Sequence, residues 1–214
     1  MNLLRREYFL GLDLGQRRDR TAIAVVERSH WTSAERNPIT WQPLQSVRHN
    51  VCFLQRLPLH SPYTAVSRHV AAIAQRLSSG GATVVAVDAT GVGLPIVDSL
   101  RVINAPWRLM PVTIGFSGAQ SFDDGFWRVP KRDLIANLQL ASETRAFTIA
   151  TRLREAEVLI EELTSMRAST RSSGHTRYEA HGSHHDDLAI ALSLAWWAVE
   201  SCRPRQLGVN KPLL

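Results

Sequence analysis

Asp13, Asp88 and the adjacent pair Asp186 and Asp187 are the side chains whose type and placement suit chemistry. Asp13 closes the apolar run Tyr8-Phe9-Leu10-Gly11-Leu12, and Asp88 closes a second run, Thr83-Val84-Val85-Ala86-Val87. The Asp186–Asp187 pair opens an apolar stretch that continues to Glu200. An ionised carboxylate on a buried strand is costly unless something pairs with it. Asp13 therefore either accepts bonds from the turn at Gly15 or binds a cation. Carboxylates from separate rigid elements are the oxygen ligands that hard divalent cations want.

Alternation along a strand puts Phe9, Gly11 and Asp13 on one face, and Val84, Ala86 and Asp88 on another. In both runs the residue two before the aspartate is small, which leaves space beside each carboxylate. Ser183 followed by Asp186 reads as a helix N-terminal capping signature. Acids at a helix start also gain ~0.3–1 kcal/mol from the macrodipole, which accounts for one of the two better than for both. His184 and His185 are either surface histidines or further ligands. Gly91-Val92-Gly93-Leu94-Pro95 could cradle phosphate, but it lacks the third glycine of a dinucleotide fingerprint.

The elements that must position these groups follow from apolar periodicity. The first strand ends at Asp13, and a basic turn leads to a second strand over Thr21 to Glu27. Residues 29 to 45, with Pro38 and Pro43, read as an irregular excursion before a third strand from about Val47 to Leu57. Ser61-Pro62 caps a helix that Gly80-Gly81 ends. A strand ending at Asp88, a short helix to about Val102 and a strand from Arg108 to Ile114 come next. Ser117 to Trp127 reads as a polar loop. Helices start at Pro130 and at Thr151, a hairpin occupies Ala168 to Ala180, and a largely buried helix follows Asp186. The fold class is α/β, with one domain over residues 1–202 and a tail over 203–214.

The 214 residues are 44% hydrophobic and 21% charged, which fits a globular chain with an ample core. No run of 18 apolar residues exists to span a membrane, and the start lacks a signal-peptide pattern, so a cytoplasmic location is expected. Cys52 and Cys202 lack metal spacing and are expected as free thiols. The net charge is +6, and Lys131 and Lys211 are the sole lysines. An arginine-rich chain suits a phosphate-rich partner, because guanidinium pairs bidentately with phosphate. Arg17, Arg18, Lys131, Arg132, Arg171 and Arg177 are the candidate DNA contacts, set against the alternative of solvated surface charge.

Hydrolysing a phosphodiester requires stabilising an attacking hydroxide and a leaving oxyanion together, which two Mg²⁺ or Mn²⁺ ions ~3.5–4 Å apart can do. The order β-β-β-α-β-α-β-α, with acids on strand one, strand four and the last helix, is the layout of the ribonuclease H-like nucleases: three layers around a mixed sheet. The chain further resembles the C-terminal nuclease domain of the phage terminase large subunit. The matching pieces are Gly11-Leu12-Asp13-Leu14-Gly15, Val87-Asp88 with Gly91 to Asp98, Val129-Pro130-Lys131-Arg132-Asp133-Leu134-Ile135, and His185-Asp186-Asp187-Leu188. The resemblance implies a divalent-metal endonuclease on double-stranded DNA, with Asp13, Asp88, Asp186 and Asp187 as catalytic and metal-binding positions. Adjacent helix positions point ~100° apart, which leaves open which of the last two acids faces the metals. No G-x-x-x-x-G-K-[ST] phosphate loop is present, so these residues read as a fragment, as a split gene's nuclease half that works with a separate terminase ATPase or packaging subunit, or as a stand-alone relative. Three other readings share parts of the pattern: an actin- or sugar-kinase-like ATPase, a Holliday-junction resolvase, and a non-catalytic module that binds DNA or docks on a motor.

Overall fold

Strands that alternate large aliphatic residues on one side with small residues on the other leave two apolar faces to cover. The computed structural model describes residues 1–15, 19–103, 105–116, 118–170, 176–180 and 186–202. Strand β1 (Asn2–Asp13) is central; it pairs antiparallel with β2 (Ala22–Arg36), which pairs antiparallel with β3 (Pro43–Arg56). On its other side β1 runs parallel to β4 (Ala82–Asp88), and β4 runs parallel to β5 (Trp107–Gly115). The hairpin of β6 (Ser121–Asp123) and β7 (Phe126–Pro130) adds to the β5 edge, and β8 (Thr148–Ile149) adds to the β3 edge. The mixed eight-stranded sheet has the order β6-β7-β5-β4-β1-β2-β3-β8. A separate hairpin joins β9 (Met166–Thr170) to β10 (Thr176–Ala180).

Helices α1 (Tyr63–Ser78) and α2 (Leu94–Arg101) cover one face, where Leu10, Leu12, Ile23, Val25, Val85 and Val87 meet Val66, Val70, Ile96 and Val97. The opposite face carries Phe9, Ala24, Val26 and Ala86, and packs against α3 (Lys131–Glu143), α4 (Ala156–Ser165) and α5 (Asp187–Ser201). This is the three-layer ribonuclease H-like arrangement expected from the element order. Helix α5 is buried continuously from Asp187 to Val199, as an apolar-all-round helix must be. Each large apolar side chain stabilises by roughly 1.5–3 kcal/mol on burial. Leu188, Leu192, Leu194 and Trp196 therefore hold α5 in place despite the aspartate at its front. No helix among the described residues is long and apolar enough to cross a membrane.

Several boundaries differ from the sequence expectation. Residues 29–45 are not an irregular excursion: β2 and β3 stay paired out to Arg36 and Pro43, and the turn between them spans 37–42. The expected loop at 117–127 holds β6 and the start of β7. Pro62, not Ser61, takes the N-cap position of α1, and the Ser61 hydroxyl instead donates to the Pro58 carbonyl at 2.7 Å. Helix α4 begins at Ala156 after turns at 151–155, so Thr151 does not cap it. Asp186 occupies the N-cap position of α5 without a side-chain capping bond, and Ser183 lies outside the described residues. So do residues 203–214, the expected tail.

Candidate functional site

Parallel pairing sets Leu12 opposite Val87, so Asp13 and Asp88 each follow by one residue at the C-terminal ends of adjacent central strands. That edge is where open α/β sheets bind ligands. Backbone contact between β1 and α5 brings the third element there. A Cβ on Gly11 would lie 1.9 Å from the Ala191 carbonyl oxygen and 2.6 Å from the Ala195 nitrogen. The expectation of open space beneath Asp13 is thus corrected: a glycine is needed there because α5 fills it. The helix laid in this groove delivers Asp186 and Asp187 to the strand ends.

Each acid has its own partners. Asp88 Oδ1 accepts the Thr90 amide at 2.8 Å, and the Thr90 hydroxyl accepts the Ile114 amide at 2.8 Å. Asp187 is buried, and its Oδ2 accepts the Arg20 amide at 3.3 Å. Asp186 Oδ2 takes the Lys131 ammonium at 2.9 Å. Lys131, expected as a DNA contact, thus leans into the acid cluster from the start of α3.

The electrostatics show that these groups share one neighbourhood. Burial first, then the charges of Asp88, Asp187 and Asp186, push the Asp13 carboxyl well above its ordinary range, against a smaller opposing pull from Lys131. Burial also raises Asp88, opposed by its hydrogen bonds to Thr90 and by Lys131. Like charges crowded this way favour a proton or a cation among them. Among the described residues, no three His, Cys, Asp or Glu side chains are placed to hold a metal ion as they stand. The Lys131 ammonium pairs with Asp186 of the cluster. The donor set is nonetheless made of hard carboxylate oxygens, which fit Mg²⁺ or Mn²⁺ in kind.

The remaining sequence candidates are placed unevenly. Arg132 is exposed, directs Nε to Asp133 Oδ1 at 3.3 Å and donates to the Gly118 carbonyl at 3.2 Å. The backbone of Arg177 lies in β10. Arg17, Arg18, Arg171, His184 and His185 lie outside the described residues. Gly93 has a steric reason of its own, since a Cβ there would meet the Asp88 carbonyl oxygen at 2.1 Å.

One acidic residue escaped the sequence reading. Glu162 of α4 is buried, and its Oε2 accepts the Ala189 amide at 2.8 Å, in the first turn of α5. Its Oε1 is buried with no hydrogen-bond partner. Burial, and secondarily the charges of Asp187 and Asp186, raise this carboxyl to about 7, against the Ala189 bond and Arg56, which lower it. The signal was its spacing: Ala156, Leu159 and Glu162 recur every three residues on the buried side of α4.

No family model matches the chain, and no curated protein matches it. Solved structures do. The large terminase nuclease of thermophilic phage G20c, with bound magnesium, is 22% identical with a TM-score of 0.55, over 90% of this chain and 81% of that one. The large terminase nuclease domain of Thermus phage P74-26 is 17% identical with a TM-score of 0.55, over 89% and 78%. A mutant large terminase subunit of bacteriophage Sf6, with calcium, is 15% identical with a TM-score of 0.54, over 90% and 88%. The chain has the fold of these large-terminase nuclease domains.

Proposed function

We propose that the chain is a divalent-metal-dependent endonuclease that cuts double-stranded DNA, with Asp13, Asp88 and Asp187 as the metal-holding carboxylates. The observation that carries this reading is the placement of Asp13 and Asp88 at the ends of adjacent parallel strands, with α5 seated on Gly11 so that its leading acids come to the same edge. The structural neighbours with bound magnesium and calcium support it. Bound among these carboxylates, Mg²⁺ or Mn²⁺ ions would supply the positive charge that activates water and stabilises the leaving 3′ oxygen.

The chain's own groups have separable parts in this reading. Asp13 stands beside Asp88 at the strand ends and feels the charges of both α5 acids, so it would be one of the carboxylates that hold the metal. The Thr90 amide fixes the rotation of Asp88, and the Arg20 amide fixes Asp187. Asp187 is buried at the front of α5 whereas Asp186 is engaged by Lys131, which favours Asp187 as the ligand. Asp186 then anchors Lys131, whose ammonium is held at the cluster's rim to meet a phosphate. In this reading the partners are double-stranded DNA and a terminase ATPase.

Plasmid nicking in Mn²⁺ tests the proposal. Asp13→Asn and Asp88→Asn are expected to abolish nicking while the melting transition stays cooperative. Full activity in either variant removes that residue from the mechanism. A wild-type protein that binds DNA without nicking it would establish the non-catalytic reading instead.

A further inference from the structure

A cavity of about 730 Å³ opens beside α1, the end of β3 and the turn before α4. Arg20, Arg56, Arg76 and Arg154 line it, against a single carboxylate, Glu155. That carboxylate is already engaged, because Arg56 donates to Glu155 Oε2 from Nε at 3.1 Å and from a terminal nitrogen at 2.9 Å. Arg20, Arg76 and Arg154 are exposed and form no ion pair or side-chain hydrogen bond among the described residues. The cavity also adjoins the acid cluster, since the Arg20 amide is the group bonded to Asp187.

We infer that this groove carries the phosphate backbone of duplex DNA on the β3 side of the cut site. The inference rests on the proposed function and extends it to a binding path. Three guanidiniums without an ion pair among the described residues, supplied by a turn, a helix and a loop, suit a polyanion, whose charges are spaced along a line, better than one compact anion. Lys131 and Arg132 lie at the opposite flank of the cluster, where β7 leads into α3. The acids thus sit between two basic flanks, as a cutting centre must if the strand is held on both sides of the scissile bond.

The test is equilibrium binding of a fluorescent duplex to the full chain in EDTA, across a salt series. Because both side chains are exposed, Arg76→Ala/Arg154→Ala should melt like wild type. Its affinity is expected to fall roughly tenfold near 0.1 M salt, and the log–log salt slope to fall by about two, one per lost phosphate contact. Arg76→Lys/Arg154→Lys should retain most of the slope, and Mn²⁺ affinity should be unchanged in both. Equal affinity and slope in wild type and the alanine variant would overturn the inference. So would saturable binding of inorganic phosphate that the alanine variant loses while duplex binding persists. Arginine-dependent duplex binding by a wild-type protein that fails to nick DNA would leave the groove standing and remove the nuclease reading alone.

Discussion

Gly11 of β1 and Ala191 of α5 meet backbone to backbone: a Cβ on the glycine would intrude to 1.9 Å from the alanine carbonyl oxygen. Neither backbone can yield without moving the strand that carries Asp13 or the helix that carries Asp187. Gly11→Ala is therefore expected to destabilise the fold by ~3 kcal/mol, the upper end for overpacking a filled core. Urea unfolding measures the loss. Mn²⁺ binding should weaken in the fraction that remains folded, because the two carboxylates separate.

Asp13→Asn is expected to stabilise the metal-free protein near neutral pH. The native carboxyl is raised above its unfolded value, so the folded state holds the proton more tightly. Stability is then fully present below the unfolded value and declines as pH rises toward the folded one. Removing the charge removes that decline. Thermal melts in EDTA across a pH series should show the wild-type curve falling where the variant stays flat. Mg²⁺ should raise the wild-type melting temperature and shift the variant less.

Lys131→Met takes away the cation paired with Asp186 and the charge that holds Asp13 and Asp88 down. Both members of the pair are about a third exposed, so the metal-free loss should be modest, about 1 kcal/mol. Divalent cations should recover more stability in this variant than in wild type, because no ammonium competes for the carboxylates. Denaturation in EDTA and in Mn²⁺ reads both effects.

Glu162 separates hydrogen bonding from charge. Glu162→Ala leaves the buried Ala189 amide without its acceptor, at an expected cost of ~1–3 kcal/mol. Glu162→Gln keeps an acceptor oxygen and removes the ionisation that burial disfavours. With the native carboxyl at about 7, wild-type stability should decline as pH rises from its unfolded value toward neutrality, and the glutamine variant should not follow. Unfolding free energies at acid and slightly alkaline pH distinguish the two substitutions.

The central strands and their terminal acids are legible because β1 and β4 end in short, nearly continuous apolar runs that stop at Asp13 and Asp88. Helix α5 was legible from its unbroken apolar content. The outer half of the β2–β3 hairpin was not, because Pro38 and Pro43 read as strand breakers when one lies in the tip and the other starts a strand. Strands of three and five residues, β6 and β7, are too short to show alternation. The small residues two before the acids are visible in the sequence, but the sequence does not say what fills the room they leave. At Gly11 the occupant is a helix backbone. Glu162 stayed hidden because a carboxylate on a buried helix stripe declares its purpose only once its neighbour is known.

The seating of α5 against β1 also sets an order of events during synthesis. A ribosome emits Asp13 early and Asp88 midway, yet neither meets its last companions until residues 187–201 have left the exit tunnel and slotted over Gly11. A chain halted before that point lacks the element that closes the charged corner, and its glycine furrow lies bare. The cluster is armed only by the late-made helix that also seals the sheet.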